Sequence, residues 1–126
     1  MSWKEYYNSR LLSADEAVRL IHSDSRVVIA HACGEPARLI DAMVRHAHAY
    51  ENVEIVHMVP MGRAEYCKAE YAGHFRHNAL FVGGGTRAAV AEGRADFTPC
   101  FFSEAPALFE STLPVDTALV QVTPPD

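Results

Sequence analysis

Cysteine is scarce in this sequence: three in 126 residues, at Cys33, Cys67 and Cys100. Their wide spacing offers neither a disulfide scaffold nor a Cys-rich zinc site. Free thiols fit a reducing compartment, so a cytoplasmic location is expected. Long apolar runs are missing too. No stretch approaches the roughly 20 residues needed to cross a bilayer. The opening residues, Met1 to Arg10, lead into no apolar segment of signal-peptide type. Basic runs are also lacking: 11 Lys and Arg stand against 16 Asp and Glu, a formal net charge of -5. A nucleic-acid partner usually needs a basic stripe, so none is expected, and no membrane partner either. Internal repeats and long linkers are absent.

What is there is 49% hydrophobic. That suits one core, or one piece of a larger domain. The organising stretch is Arg26 to Pro36. An apolar run, Val27-Val28-Ile29-Ala30, meets Cys33-Gly34, and Pro36 then opens a helix over about 36–49. Ala37, Leu39, Ile40, Met43, Val44 and Ala47 lie near one helical face. Pro suits a first helical turn because its missing N–H is not needed there. A strand, a tight turn and a helix start are where α/β proteins commonly place polar ligands.

The other elements follow in order. Residues 1–12 include a short helix whose Trp3, Tyr6 and Tyr7 are free to dock on the body or on a neighbour. Ser13-x-x-Glu16 has capping-box spacing and starts a helix ending near His22 or Ser23. Asp41 and Arg45 have the spacing of a weak surface pair. Strands are expected at 53–59, 78–82 and 115–122, and helices at 86–92 and 103–110. Thr86 is the expected cap of the first of these and Gly93 its stop. The polar, aromatic segment 63–77 has no clear assignment. Alternating strands and helices predict an α/β fold with an open, mostly parallel sheet and helices on both faces. The chain stops just after a strand at Thr123-Pro124-Pro125-Asp126. The expectation is a truncated chain, a processed chain or a protein divided between subunits.

Three strand-end loops, 31–36, 83–87 and 121–126, are candidates to converge. Gly83-Gly84-Gly85 allows close backbone approach to an anion, and Arg87 adds several donors. The competing view is a left-handed glycine turn beside a surface arginine. Neither a dinucleotide fingerprint nor a P-loop is present. Cys33 near a helix start, two residues after His31, suggests a thiol nucleophile, but no third group orients His31. A packed thiol lining a pocket is the simpler account. His46 and His48 do not share a helix face. His74 and His77 would share one if their segment were helical, yet no third ligand is near, so no metal is expected.

The sequence strongly resembles the N-terminal part of the acetyl-CoA hydrolase/transferase family, and is most similar to 4-hydroxybutyrate or butyrate/acetate CoA-transferases. The residues that carry the likeness are Cys33-Gly34-Glu35-Pro36, Asn78 to Arg87, Glu92 to Pro99 and Val115 to Asp126. The resemblance implies a class I CoA-transferase domain. Such enzymes move CoA from an acyl-CoA to a free carboxylate such as acetate or 4-hydroxybutyrate. A glutamate attacks the donor thioester, giving an acyl-glutamyl anhydride and CoA thiolate. The thiolate returns to form a glutamyl-CoA thioester, which the acceptor carboxylate attacks in turn. The family's nucleophilic glutamate belongs to a C-terminal domain whose motif has no match here. The resemblance therefore implies residues 1–126 of an incomplete or N-terminal domain, a missing C-terminal domain or partner chain, and a homo-oligomer when complete.

By the same resemblance, Cys33, Gly34, Glu35 and Pro36 line the acyl or acceptor-carboxylate side of the cleft. Gly83, Gly84, Gly85, Thr86 and Arg87 form a second wall. Gln121, Thr123 and Pro124 close a third side. Gly85 stands where the family often has an asparagine, so any contact made by that amide is lost. Coenzyme A enters as acyl-CoA substrate. The alternatives are an acyl-CoA hydrolase and a non-catalytic CoA- or metabolite-binding subunit.

Overall fold

The computed structural model describes residues 1–125. Strands β1 (Arg26–Ile29), β2 (Val53–His57), β3 (Phe75–Ala79), β4 (Ala95–Phe97) and β5 (Thr117–Leu119) form one sheet in the order β4-β3-β2-β1-β5. Every neighbouring pair is parallel. Helices α1 (Trp3–Ser9), α2 (Ala14–Val18), α3 (Ala37–Arg45), α4 (Arg87–Ala91) and α5 (Ala105–Glu110) lie between or before the strands. This is the expected α/β architecture with a parallel central sheet flanked by helices.

Strand periodicity divides the side chains between two faces. Val27 and Ile29, Val53 and Ile55, and Phe75 point to one face, where they join Val18, Ile40, Met43, Tyr50 and Tyr66 in the larger core. The amphipathic α3 supplies Ile40, Ala42 and Met43 to that core, as its spacing predicts. Buried Val, Ile and Leu side chains contribute roughly 1.5–3 kcal/mol each. On the other face Val56 and Leu80 meet Ala105 and Leu113 in a smaller cluster, with Phe109 and Leu108 of α5 packed against it.

Several boundaries differ from those expected. Strand β3 begins at Phe75, three residues before the expected start at 78, and pairs with β2 from Val53 onward. Its polar Arg76 and Asn78 fit a buried sheet because they have partners. Arg76 pairs with Asp96 at 2.5 Å, and Asn78 donates to Glu54 at 2.9 Å. Ala95–Phe97, outside every expected strand, forms the edge strand β4. Strand β5 is shorter than 115–122, because only Thr117–Leu119 pair with β1.

Helix α2 keeps its capping box: Glu16 N–H donates to Ser13 Oγ at 3.2 Å and Ser13 N–H to Glu16 Oε2 at 2.9 Å. It ends at Val18 rather than near His22, and turns carry the chain onward through Leu20 and Ile21. Arg45 does not pair with Asp41. It reaches Asp15 at 2.8 Å, tying α3 to α2, and His46 meets the same carboxylate at 2.9 Å. The α1 aromatics do not dock into the core: Trp3, Tyr6 and Tyr7 are exposed, and α1 buries none of its residues.

Candidate functional site at the strand ends

A parallel sheet brings its strand C-termini to one edge, so the loops after β1, β2 and β3 lie side by side. In sheet order they are 30–36, 58–64 and 80–86. The middle loop, after β2, separates the two that sequence reasoning singled out. It was missed as a wall, although Pro60-Met61-Gly62 directly after an apolar strand is itself a turn signal.

Glu35 closes the first gap. Its side chain is 11% exposed. Oε2 accepts the Met61 N–H at 2.6 Å and the Gly62 N–H at 3.1 Å, while Oε1 lies 3.2 Å from the same Gly62 nitrogen. A Cβ at position 62 would stand 2.5 Å from Glu35 Oε1, so a side chain there would displace the Glu35 carboxylate. The second gap is closed by backbone. A Cβ on Gly85 would sit 3.3 Å from the Gly62 carbonyl oxygen and 3.7 Å from the Arg63 carbonyl carbon. The Pro60–Arg63 turn is therefore held between Glu35 and the glycine loop. Strain accompanies this packing. Ala32 and Ala64 adopt left-handed backbone at φ 54° and 48°. Non-glycine residues avoid that region at a cost on the order of 1–3 kcal/mol.

Gly83, Gly84 and Gly85 do not form the left-handed turn considered from sequence, since none has positive φ. Thr86 is fully buried and precedes α4, but its hydroxyl points to the Gly83 carbonyl at 3.5 Å instead of capping the helix. Gly93 does end α4, at φ 71°. Arg87 is exposed and forms no ion pair among the described residues.

Cys33 is exposed on a 3-10 turn, Ala32–Gly34, next to buried Pro36. The His31 ring packs edge-on against Phe102 at 6.0 Å instead of engaging the thiol. Gln121, Thr123 and Pro124 leave the sheet on the far side of β1 from the glycine loop. Pro125 lies with Trp3, Lys4, Tyr7 and Asn8 of the N-terminal segment. Asp126, part of the expected third loop, falls outside the described residues.

Behind Glu35 runs a buried polar chain. His57 is fully buried; its Nδ1 lies 2.7 Å from the Tyr66 hydroxyl and its Nε2 3.9 Å from Glu35 Oε2. Burial, with the neighbouring His77 and His31, pushes His57 down to about 4. Burial also raises the Tyr66 hydroxyl well above its ordinary range and lifts the Cys67 thiol to about 12, which disfavours the thiolate. His77, on β3 and not on a helix, is buried beside Tyr66, while His74 meets His48 at 3.2 Å. Among the described residues no group of three or more His, Cys, Asp or Glu is placed to hold a metal. No helix among them is long and apolar enough to cross a membrane.

The model of the acetyl-CoA hydrolase/transferase N-terminal domain matches residues 1–126. The chain belongs to the acetyl-CoA hydrolase/transferase family. It is 58% identical to the 4-hydroxybutyrate coenzyme A transferase of Clostridium kluyveri, covering 100% of this chain and 30% of that protein. It is 33% identical to the butyryl-CoA:acetate CoA-transferase of Anaerostipes caccae, covering 100% of this chain and 29% of the relative. The solved 4-hydroxybutyrate CoA-transferase of Porphyromonas gingivalis superposes with a TM-score of 0.76 at 32% identity, over 99% of this chain and 28% of that one. RipA from Yersinia pestis shares the fold, with a TM-score of 0.91 at 22% identity over 100% of this chain and 32% of that one. The chain thus spans less than a third of the length of these relatives. Membership in the acetyl-CoA hydrolase/transferase family agrees with the motifs at 33–36 and 78–87, which the fold brings to the same edge of the sheet.

Proposed function

We propose that this chain supplies the N-terminal wall of a CoA-transferase cleft, acting on a short-chain acyl-CoA and a small carboxylate such as acetate or 4-hydroxybutyrate. The observation that carries the reading is the 58% identity along the whole chain to a 4-hydroxybutyrate coenzyme A transferase. Cys33, Gly34 and Pro36 form one side. Gly83, Gly84, Gly85, Thr86 and Arg87 form the other, with the exposed Arg87 guanidinium meeting a phosphate or carboxylate of the substrates. Gln121, Thr123 and Pro124 close the cleft only in a more complete assembly.

The nucleophilic glutamate lies outside residues 1–126, on a further domain or partner chain, and the working enzyme is a homo-oligomer. Glu35 is a poor nucleophile, because both carboxylate oxygens face backbone N–H donors. A carboxylate held by strong donors is stabilised in its ground state, whereas attack on a thioester needs a free lone pair. The domain's own task is to position the substrates and exclude water, since water would hydrolyse an activated glutamyl species.

The test is CoA exchange between butyryl-CoA and acetate, measured for the chain in its native assembly and for purified residues 1–126. Exchange by the assembly and none by the isolated chain is the expected result. Acid and free CoA without transfer would favour the hydrolase, which the family's name also covers. Robust turnover by residues 1–126 alone would overturn the reading. Arg87→Ala should lower kcat/KM of the assembly about tenfold, the loss of one charged hydrogen bond.

A further inference from the structure

We infer that Glu35 is a positioning residue: its carboxylate braces the Pro60–Gly62 turn between two cleft walls and does not itself touch substrate. The inference rests on the CoA-transferase reading for its functional meaning, but its geometry stands alone. Three contacts from two backbone N–H groups converge on this one side chain. A buried ring nitrogen lies behind them. His57 Nε2 is buried without a hydrogen-bond partner and lies 3.9 Å from Glu35 Oε2. A Tyr66 hydroxyl that donates to His57 Nδ1 would leave the ring proton on Nε2, on the side of the carboxylate. Glu35 thus occupies an anion hole built from the protein's own turn.

The far side of the turn completes the brace. The Gly62 carbonyl and the Arg63 backbone adjoin Gly85 closely enough that a Cβ at position 85 would stand 3.3 and 3.7 Å from them, so the turn and the glycine wall are neighbours. Gly62 is the matching half of the device. Only Glu35 atoms stand within 4 Å of a Cβ placed at position 62. A methyl group there therefore conflicts with Glu35 and with nothing else, which makes the coupling between the two positions directly testable.

The experiment measures amide hydrogen exchange at residues 60–64 and 83–86 in the 126-residue chain for wild type, Glu35→Ala, Glu35→Gln, Gly62→Ala and Glu35→Ala/Gly62→Ala. The brace predicts that Glu35→Ala and Gly62→Ala each lower protection at Met61 and Gly62 roughly tenfold or more, the equivalent of one charge-assisted hydrogen bond. Glu35→Gln keeps an acceptor and retains part of the protection. The double variant is no worse than Glu35→Ala, because the methyl group then fills vacated space. Additive losses in the double variant, or unchanged protection in Gly62→Ala, would overturn the inference.

In the native assembly the same variants are assayed for CoA exchange. A brace predicts a raised KM for acyl-CoA with partial rescue by Gln. A Gln variant as inactive in kcat as the Ala variant would make Glu35 a reacting group and overturn the inference. An exchange pattern as predicted, with no transferase activity in wild type, would leave the brace standing and remove the functional reading instead.

Discussion

On one face of the sheet Val27, Ile29, Val53, Ile55 and Phe75 lie under α2, α3, Tyr50 and Tyr66. On the other, the residues one step along the same strands read Arg26, Glu54, Arg76 and Asp96 at one end and Val28, Val56 and Leu80 at the other. The polar end forms a ladder of alternating charge. Asp116 accepts the Arg26 N–H at 2.8 Å, Arg26 meets Glu54 at 2.6 Å, and Arg76 meets Asp96 at 2.5 Å. The apolar end lines a groove of about 440 Å³ beneath α5, bordered by His31, Phe102 and Phe109. The closed face holds the larger buried core. The other face is half ladder and half groove, and its groove runs to the strand ends that hold the candidate site.

The contrast breaks most sharply with paired truncations. Ile55→Ala on the closed face should cost about 4 kcal/mol, since Ile55 is fully buried among rigid neighbours. Val28→Ala, on the groove side, should cost about 1 kcal/mol. Urea unfolding measures both, and equal losses would erase the distinction between the faces.

Acid should attack the closed face next. The folded chain holds His57 neutral down to about 4, whereas the unfolded chain takes up that proton near the ordinary value of 6.5. The unfolded state therefore binds more protons between those values, and stability falls as pH drops from about 6.5 to about 4. The loss reaches about 3 kcal/mol, with His77, also lowered by burial, adding in the same direction. A urea midpoint that stays level from pH 7 to pH 4.5 would contradict this. The ladder should respond least. Glu54→Gln weakens the contacts to Arg26 and Asn78, and partial exposure limits the cost to about 1 kcal/mol. That loss should shrink in high salt if the ladder acts through charge.

The closed face was also the more legible in sequence. The apolar run before Cys33 and the 3.6-residue pattern after Pro36 announced β1 and α3, because both bury one continuous apolar surface. The ladder hid the start of β3: Arg76 looks like a loop residue until its partner Asp96 arrives from another strand. Tyr66 gave no periodic signal, since it reaches the core from an isolated 3-10 turn, Glu65–Cys67. At the site, the loops 31–36 and 83–87 were visible as glycine and proline turns. Their relation was not visible, because it depends on β2 lying between β1 and β3. Residues 121–125 were assigned a third wall by resemblance, and sheet order puts the loop after β5 beside the 30–36 loop, on the opposite side of it from the 58–64 turn.

The most direct test of the account asks where the activated carboxylate forms. The native assembly would be incubated with butyryl-CoA, treated with borohydride to reduce any glutamyl thioester to an alcohol, and digested for mass mapping of every carboxylate. The account predicts a reduced glutamate outside residues 1–126, with Glu35 and every other carboxylate of this chain unmodified. A reduced Glu35 would contradict it, moving the chemistry from outside residues 1–126 to the brace itself.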